Sequence, residues 1–195
     1  MTARPPADGH GLFYVMGPSG SGKDSLLRAL RERLRQDDPI VIAHRYITRE
    51  ADANEASVAL TRDEFRRRRA LGCLALDWHS HGLHYGIGIE IEQWLARGLK
   101  VIVNGSREYL PQAVARYPKL CAVHVRVRPE VLASRLRQRG RESETAIARR
   151  LARAAQAFPV PAGCRLVEFD NSGALENAAE AFARLVGATS AAHQL

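Results

Sequence analysis

The chain has 195 residues, enough for one well-packed domain and too few for two independent ones. Hydrophobic residues make up 46% and charged residues 26%, and no apolar run approaches the roughly 20 residues that cross a bilayer, so a membrane-spanning helix is excluded and a soluble protein predicted. The formal net charge of +8 fits a nucleic-acid ligand or small polyanionic substrates.

The N-terminus and the cysteines indicate the compartment. The first ten residues lack the apolar segment of a secretory signal, so we expect a tail and a cytoplasmic protein. Cys73, Cys121 and Cys164 lie far apart, form no C-x-x-C pair and occur in or beside apolar segments. We therefore expect three buried free thiols in a reducing compartment.

Short apolar segments alternate with helical ones along most of the chain. Strands are predicted at Leu12–Met16, Val101–Asn104, Cys121–Val127 and Arg165–Phe169. This alternation predicts an α/β fold of three layers, in which helices cover both faces of a parallel sheet. The predicted core comprises residues 11–44, 89–138 and 151–187 of a single domain.

A glycine-rich loop joins the first predicted strand to the first helix. It matches the phosphate-binding pattern G-x-x-x-x-G-K with Gly17, Pro18, Ser19, Gly20, Ser21, Gly22 and Lys23. Its backbone N–H groups and the helix N-terminus would surround a phosphate, and Lys23 would bridge the β- and γ-phosphates of ATP as a catalytic residue. The alternative is a turn that merely joins a strand to a helix.

The residue after the lysine departs from this pattern. A Ser or Thr, whose hydroxyl binds Mg²⁺, is usual there, whereas this chain has Asp24 followed by Ser25. We include both residues in the predicted ATP-phosphate site and expect Asp24 to bind Mg²⁺ directly or through water. The alternative is that Asp24 only complements the helix dipole in the first turn.

Residues 45–88 contain many polar residues and scattered glycines, and they are predicted to be an inserted acceptor-binding region. One helix begins there at Thr61, in a capping box with Glu64. The arginine run at residues 66–69 is interpreted as a solvated helix face rather than a nucleic-acid patch.

Four residues of this region are candidates for binding the acceptor: Arg45, Arg49, Asp77 and Tyr85. The guanidinium groups of Arg45 and Arg49 could bind a phosphate of the acceptor. The alternative is that this segment is an ordinary surface loop. Three histidines between Asp77 and Gly86 also indicate a specific ligand, but their spacing matches no zinc pattern.

A polar segment rich in flanking arginines is predicted to be a lid at residues 139–150. The arginines are Arg135, Arg139, Arg149 and Arg150. Arg139 and Arg150, at the two edges of the lid, are candidate catalytic residues because phosphoryl transfer needs cations on the transferred oxygens. The alternative is an exposed helix with salt bridges.

The motifs GPSGSGK, I-T-R, H-G-x-x-Y-G, and R-L-x-x-R-G followed by R-R-L resemble the guanylate kinase family in order and spacing, from about Leu12 to Leu185. That resemblance implies a five-stranded parallel core, a monophosphate-binding insertion and a lid. It also implies that Arg139 and Arg150 contact the ATP phosphates.

Several departures from that family argue against GMP as the acceptor. His44 replaces a serine, Asp77 and Trp78 replace a glutamate-containing segment, and Ile87 replaces a small hydroxyl residue. The segments GPSGSGKDSLL, HRYITR, W-H-S-H-G-L-x-Y-G-I and VIVNGSR instead resemble the ribose 1,5-bisphosphate phosphokinase family of bacterial phosphonate degradation. That resemblance implies transfer of the γ-phosphoryl group of ATP to the 1-phosphate of ribose 1,5-bisphosphate.

The expected partners are therefore ATP with Mg²⁺ and a small phosphorylated sugar, without nucleic acid or membrane. Guanylate kinase activity and a non-catalytic binding module are the alternatives. Asn104 to Arg107 follow a predicted strand, where such sheets place ligands, but their role is open. Asp170 and Asn171 fit either a position near adenine or a helix-capping turn.

Overall fold

The computed structural model describes residues 8–50, 57–138, 140 and 143–188. The strands in these residues are β1 (Leu12–Met16), β2 (Ile40–Ile42), β3 (Arg45–Ile47), β4 (Ser57–Ala59), β5 (Leu74–Ser80), β6 (Leu83–Gly88), β7 (Lys100–Asn104), β8 (Cys121–Arg126) and β9 (Arg165–Asp170). The helices are α1 (Lys23–Arg33), α2 (Arg62–Ala70), α3 (Glu90–Ala96), α4 (Leu110–Arg116), α5 (Pro129–Gln138), α6 (Glu144–Ala155) and α7 (Leu175–Val186).

The larger sheet has the strand order β2-β7-β1-β8-β9, and every neighbouring pair is parallel. Val15 of β1 pairs with Asn104 of β7, and Met16 pairs with His124 of β8. Because parallel strands end at the same edge of a sheet, the segments that follow β1, β7 and β8 emerge side by side. The predicted five-stranded parallel core is confirmed.

Alternation along β1 divides the core between the two faces of this sheet. Tyr14 packs in a buried cluster with Leu110 of α4, whereas Val15 packs on the opposite face with Leu26 of α1 and Phe182 of α7. Full burial of each such apolar side chain contributes about 1.5–3 kcal/mol. The result is the predicted three-layer arrangement of helices, sheet and helices.

A second, four-stranded sheet lies between β2 and α3 in the chain, with the order β4-β3-β6-β5. β3 and β4 are parallel, and the other two pairs are antiparallel. Helix α2 begins as predicted after Thr61, whose hydroxyl accepts a hydrogen bond from the Glu64 N–H at 3.1 Å. Phe65 of α2 is buried. The exact boundaries of the insertion at residues 45 and 88 stay a prediction.

The arginine run of α2 is engaged with neighbouring carboxylates. Arg66 pairs with Asp63, Arg68 pairs with Glu64 at 2.8 Å, and Arg69 pairs with Asp77 of β5 at 2.9 Å. These pairs support a solvated helix face, because each charge already has an opposite charge within reach.

The cysteines correct one expectation. Cys121 is buried and Cys164 is partly buried, but Cys73 is exposed. The expectation of a buried thiol is wrong for Cys73 because the residue lies in the turn between α2 and β5, on the surface of the protein. In the described ranges, no helix is both long and apolar enough to cross a bilayer.

A buried tyrosine anchors the loop that follows β7. The Tyr14 hydroxyl donates to the Ser106 carbonyl oxygen and accepts from the Ser106 N–H, both at 2.9 Å. Tyr14 is fully buried, and its burial raises its pKa far above the usual range. A Cβ at Gly105 would lie 2.0 Å from the Tyr14 Cζ, so only glycine lets the ring and the loop approach this closely.

We expect Tyr14→Phe to lower the free energy of unfolding by about 1–3 kcal/mol, because it removes both hydrogen bonds to Ser106. Urea unfolding followed by circular dichroism measures the effect. Tyr46→Phe is the matched control, since the Tyr46 hydroxyl is half-buried and makes no hydrogen bond within the described part of the chain. Equal stability of Tyr14→Phe and the native protein would contradict the anchoring role.

Candidate active site

The predicted phosphate loop connects β1 to α1. The Lys23 Nζ donates to the carbonyl oxygens of Gly17 at 2.8 Å and Pro18 at 3.2 Å, so its side chain folds back across the loop. Gly22 is the N-cap of α1 with a φ of 82°, and a Cβ there would lie 2.8 Å from the Asn171 Nδ2. Because no side chain caps this helix, its first-turn N–H groups are available to an anion.

Two residues from distant elements hold the loop in place. Asn171, directly after β9, donates from Nδ2 to the Ser21 carbonyl oxygen at 2.7 Å and is 2% exposed. Arg135 of α5 donates to the Asn171 carbonyl oxygen at 2.9 Å and to the Ser21 carbonyl oxygen at 3.4 Å. These contacts give Asn171 and Arg135 a supporting role behind the loop, which the sequence did not predict.

Three buried polar atoms at the loop lack hydrogen-bond partners within the described residues. They are the Ser21 Oγ, the Oδ1 of Asn104, which is the last residue of β7, and the Oδ1 of Asn171. Native folds rarely leave such atoms unpaired, and those that remain often mark the position of a ligand or water. The Ser21 hydroxyl can donate to a phosphate oxygen, and the amide oxygens can accept from the water ligands of a cation. The loop therefore fits a phosphate group with a hydrated cation.

Helix α6, which overlaps the predicted lid, contacts the phosphate loop directly. Arg150 of α6 donates to the Ser19 Oγ at 2.8 Å. Ile147 of the same helix packs with Leu132 and Leu136 of α5. The structure thus brings Arg150 to the loop, whereas Arg139, the other predicted lid residue, lies outside the described residues.

Arg107 fixes the far end of α6. It is 6% exposed and donates to the carbonyl oxygens of Ala154 at 3.1 Å and Arg153 at 2.9 Å. A cation at the C-terminus of a helix donates hydrogen bonds to the last carbonyl groups, which have no partner within the helix, and it complements the helix dipole. The guanidinium also lies 5.7 Å from the centre of the Phe158 ring, which packs edge-on against His124. Burial lowers the pKa of His124, and the hydrogen bond to Glu168 opposes this shift.

Asp24 connects the loop to both sheets. Its Oδ1 accepts a hydrogen bond from the Asn104 Nδ2 at 2.7 Å and lies 3.3 Å from a guanidinium nitrogen of Arg45 on β3. A residue that only complemented the helix dipole would need neither contact. The binding of Mg²⁺ by Asp24 stays a prediction.

Two of the four candidate acceptor residues lie together. Tyr85 of β6 is stacked on Trp78 of β5 with ring centres 5.5 Å apart, and the Arg45 guanidinium lies 5.8 Å from the centre of the Tyr85 ring. Trp78 belongs to the main buried cluster, so this face of the smaller sheet points toward the core and the phosphate loop. Arg49, beyond the end of β3, is exposed.

Asp77 is not brought to this group. It precedes Trp78 in β5, and because side chains alternate along a strand it points to the opposite face, where it pairs with Arg69 of α2. His84 lies on that face too and packs against Phe65 at 5.4 Å. His84 therefore contributes to packing between the smaller sheet and α2, whereas the Nε2 of the exposed His81 lies 3.4 Å from Arg153 of α6.

Comparison with known proteins identifies the family. A family model described as an AAA domain matches residues 14–156. The ribose 1,5-bisphosphate phosphokinase PhnN of Achromobacter xylosoxidans is 60% identical over 179 residues, which are 92% of this chain and 93% of that protein. The protein of the same name from Thiobacillus denitrificans is 58% identical over 90% of this chain and 92% of its own length. This chain belongs to the ribose 1,5-bisphosphate phosphokinase family.

Among solved structures, the guanylate kinase from Anaplasma phagocytophilum is similar, with a TM-score of 0.65 at 16% identity, over 91% of this chain and 84% of that one. This similarity shows the shared P-loop kinase fold. It agrees with the resemblance seen in the motifs, and the narrower resemblance to the ribose 1,5-bisphosphate phosphokinases, which are phosphotransferases, is confirmed.

The sequence pointed to four residues without predicting their supporting contacts: Asn104, Arg107, Arg135 and Asn171. Asn104, Arg107 and Asn171 lie at or just after the C-terminal ends of parallel strands, where open α/β sheets place their sites. That position was the available signal, but it does not specify what each side chain contacts.

Proposed function

We propose that the protein transfers the γ-phosphoryl group of ATP to the 1-phosphate of ribose 1,5-bisphosphate, giving 5-phosphoribosyl 1-diphosphate (PRPP) and ADP. The observation that carries the proposal is the 60% identity, over nearly the full length of both chains, to a protein named for this activity. ATP and a small phosphorylated sugar are the corresponding partners.

The chemistry suits a site made of cations. An oxygen of the acceptor phosphate forms a bond to the γ-phosphorus, the bond from that phosphorus to the β–γ bridging oxygen breaks, and ADP leaves with the bonding electrons. The attacking oxygen is already anionic, so no general base is needed. Lys23 and Arg150 supply positive charge at the phosphate loop, and the predicted catalytic role of Arg139 is retained as part of the proposal.

Mg²⁺ is the proposed cofactor, and Asp24 with Asn104 are the residues that would hold it with its water ligands. Both present oxygen atoms, which Mg²⁺ prefers, and the Asn104 Oδ1 has no partner in the described part of the chain. When bound, the ion neutralises charge on the phosphates.

Arg45 and Tyr85 are the proposed acceptor residues. Arg49 and Asp77 rank below them, because Arg49 is exposed beyond the end of β3 and Asp77 pairs with Arg69 of α2 on the other face of the sheet. Arg45 is positioned between the Tyr85 ring and Asp24, and it can contact an acceptor phosphate near the metal-binding carboxylate. GMP is a poorer fit, since Ile87 is fully buried in the core and offers no hydrogen bond to guanine.

We expect kcat/KM with ribose 1,5-bisphosphate to exceed that with GMP by at least about a hundredfold. Steady-state ADP release with each acceptor at fixed Mg²⁺ and ATP measures this ratio. Arg66→Gln, on the exposed face of α2, is a control that should leave both values unchanged. Efficient turnover of GMP alone would support a guanylate kinase instead, and no turnover of any acceptor would support a binding module.

A further inference from the structure

The residues beside the phosphate loop of this chain differ from the usual arrangement in P-loop enzymes. In P-loop enzymes generally, a Ser or Thr hydroxyl after the lysine and an aspartate from elsewhere in the fold hold Mg²⁺. Here the position after the lysine carries the carboxylate of Asp24. The strand paired with β1, which is β7, ends in the amide of Asn104.

The amide and the carboxylate are in direct contact. The Asn104 Nδ2 donates to the Asp24 Oδ1 at 2.7 Å. Asn104 is 6% exposed and fixed by the surrounding sheet, whereas the side chain of Asp24 is 46% exposed. The buried amide therefore orients the more exposed carboxylate.

The second polar atom of the same amide points to a ligand. The Asn104 Oδ1 is buried and has no hydrogen-bond partner among the residues that the structure describes. Buried amides usually have both ends satisfied. The Oδ1 of Asn171 is unsatisfied as well, but that amide contacts a backbone carbonyl, whereas the amide of Asn104 contacts a carboxylate. An oxygen acceptor beside a carboxylate suits the water shell of a divalent cation.

We propose that Asn104 is a positioning residue for the metal–nucleotide complex, and that Asn104 and Asp24 form one unit with the carboxylate on the phosphate-loop helix and the neutral amide on β7. The inference rests on the proposed use of ATP and Mg²⁺, and it does not depend on the identity of the acceptor. The unit carries one negative charge, that of Asp24, which also lies 3.3 Å from the Arg45 guanidinium. A second carboxylate at position 104 would repel both Asp24 and the triphosphate.

The test exchanges the two groups. Isothermal titration calorimetry gives the Kd for ATP with Mg²⁺ and with EDTA, and the ratio of the second value to the first is the metal advantage. Asp24→Asn should lower the metal advantage about tenfold or more, because it removes the charged partner of the cation. Asn104→Asp should weaken metal-free ATP binding about tenfold through repulsion.

The double variant carrying both substitutions tests whether Asn104 and Asp24 act as one unit. It restores one carboxylate and one amide in contact, so its metal advantage should return to within about threefold of the native value. Asp37→Asn, which removes an exposed carboxylate away from the site, is the matched control and should change neither Kd.

A double variant as poor as Asp24→Asn alone, or native values for Asn104→Asp, would overturn the proposal. If circular dichroism shows that Asn104→Asp is unfolded, Asn104→Ala replaces it. Asn104→Ala should lower the metal advantage about tenfold, and an unchanged ratio would overturn the proposal. Because no acceptor is present, an error in the assigned acceptor cannot produce any of these outcomes.

Discussion

Replacing Arg150 by alanine is expected to lower kcat by about 10³-fold, the lower end of the effect of an arginine that stabilises the transferred phosphoryl group. Arg150 is on α6 and contacts the Ser19 Oγ of the phosphate loop at 2.8 Å. Its guanidinium is therefore within reach of the phosphates that the loop is proposed to bind. Single-turnover kinetics with saturating Mg²⁺ and ATP measure the chemical step directly.

Two control variants separate the role of Arg150 from a general effect of charge. Arg149→Ala removes an exposed neighbouring arginine and should change kcat less than about twofold. Arg150→Lys keeps the charge but loses the planar fork, so it should recover only part of the activity. Equal losses for Arg149→Ala and Arg150→Ala would contradict the proposed contact with phosphate.

Replacing Lys23 by methionine is expected to lower kcat by at least about 10²–10³-fold, as for the loss of one preorganised donor at the reacting group. We also expect weaker ATP binding, because the Lys23 Nζ holds the carbonyl oxygens of Gly17 and Pro18. Calorimetry and steady-state kinetics separate these two effects.

Lys119→Met provides the matched control for Lys23→Met. Lys119 is exposed, pairs with Asp8 at 2.7 Å and lies at the opposite end of the sheet from the phosphate loop. It should leave kcat and the Kd for ATP unchanged. Retention of activity in Lys23→Met would mean that the loop is only a strand-to-helix turn.

The phosphate loop could be predicted because its determinants are local. Seven consecutive residues set the glycine positions and the lysine, and the flanking strand and helix are evident from apolar spacing. In the structure the loop joins β1 to α1 as predicted. The alternation of strands and helices likewise gave the parallel sheet, because each parallel pair needs a crossover connection.

The supports of the loop could not be predicted because they depend on strand order. Asn171 contacts Ser21 across 150 positions of sequence, and Asn104 contacts Asp24 across 80. Nothing in either local segment specifies that β9 ends behind the loop or that β7 lies beside β1. These relations follow from the packing of the whole sheet.

In the acceptor region, the sequence did not show which side chains lie on the same face of the sheet. Asp77, Trp78 and Tyr85 lie in one short segment, which suggested a single site. The pleat of β5 sends Asp77 and Trp78 to opposite faces, and only the pairing with β6 places Tyr85 beside Trp78. Closeness in sequence was therefore a poor guide to closeness in the site.

The most direct test of the central claim is a phosphorus NMR time course with Mg²⁺ and ATP, in which ribose 1,5-bisphosphate and GMP are offered in separate samples. We expect the 1-phosphate signal of the sugar to be replaced by two coupled signals of a new diphosphate, while ADP appears in equal amount and GMP stays unchanged. Conversion of GMP to GDP with an unaltered sugar spectrum would contradict this expectation.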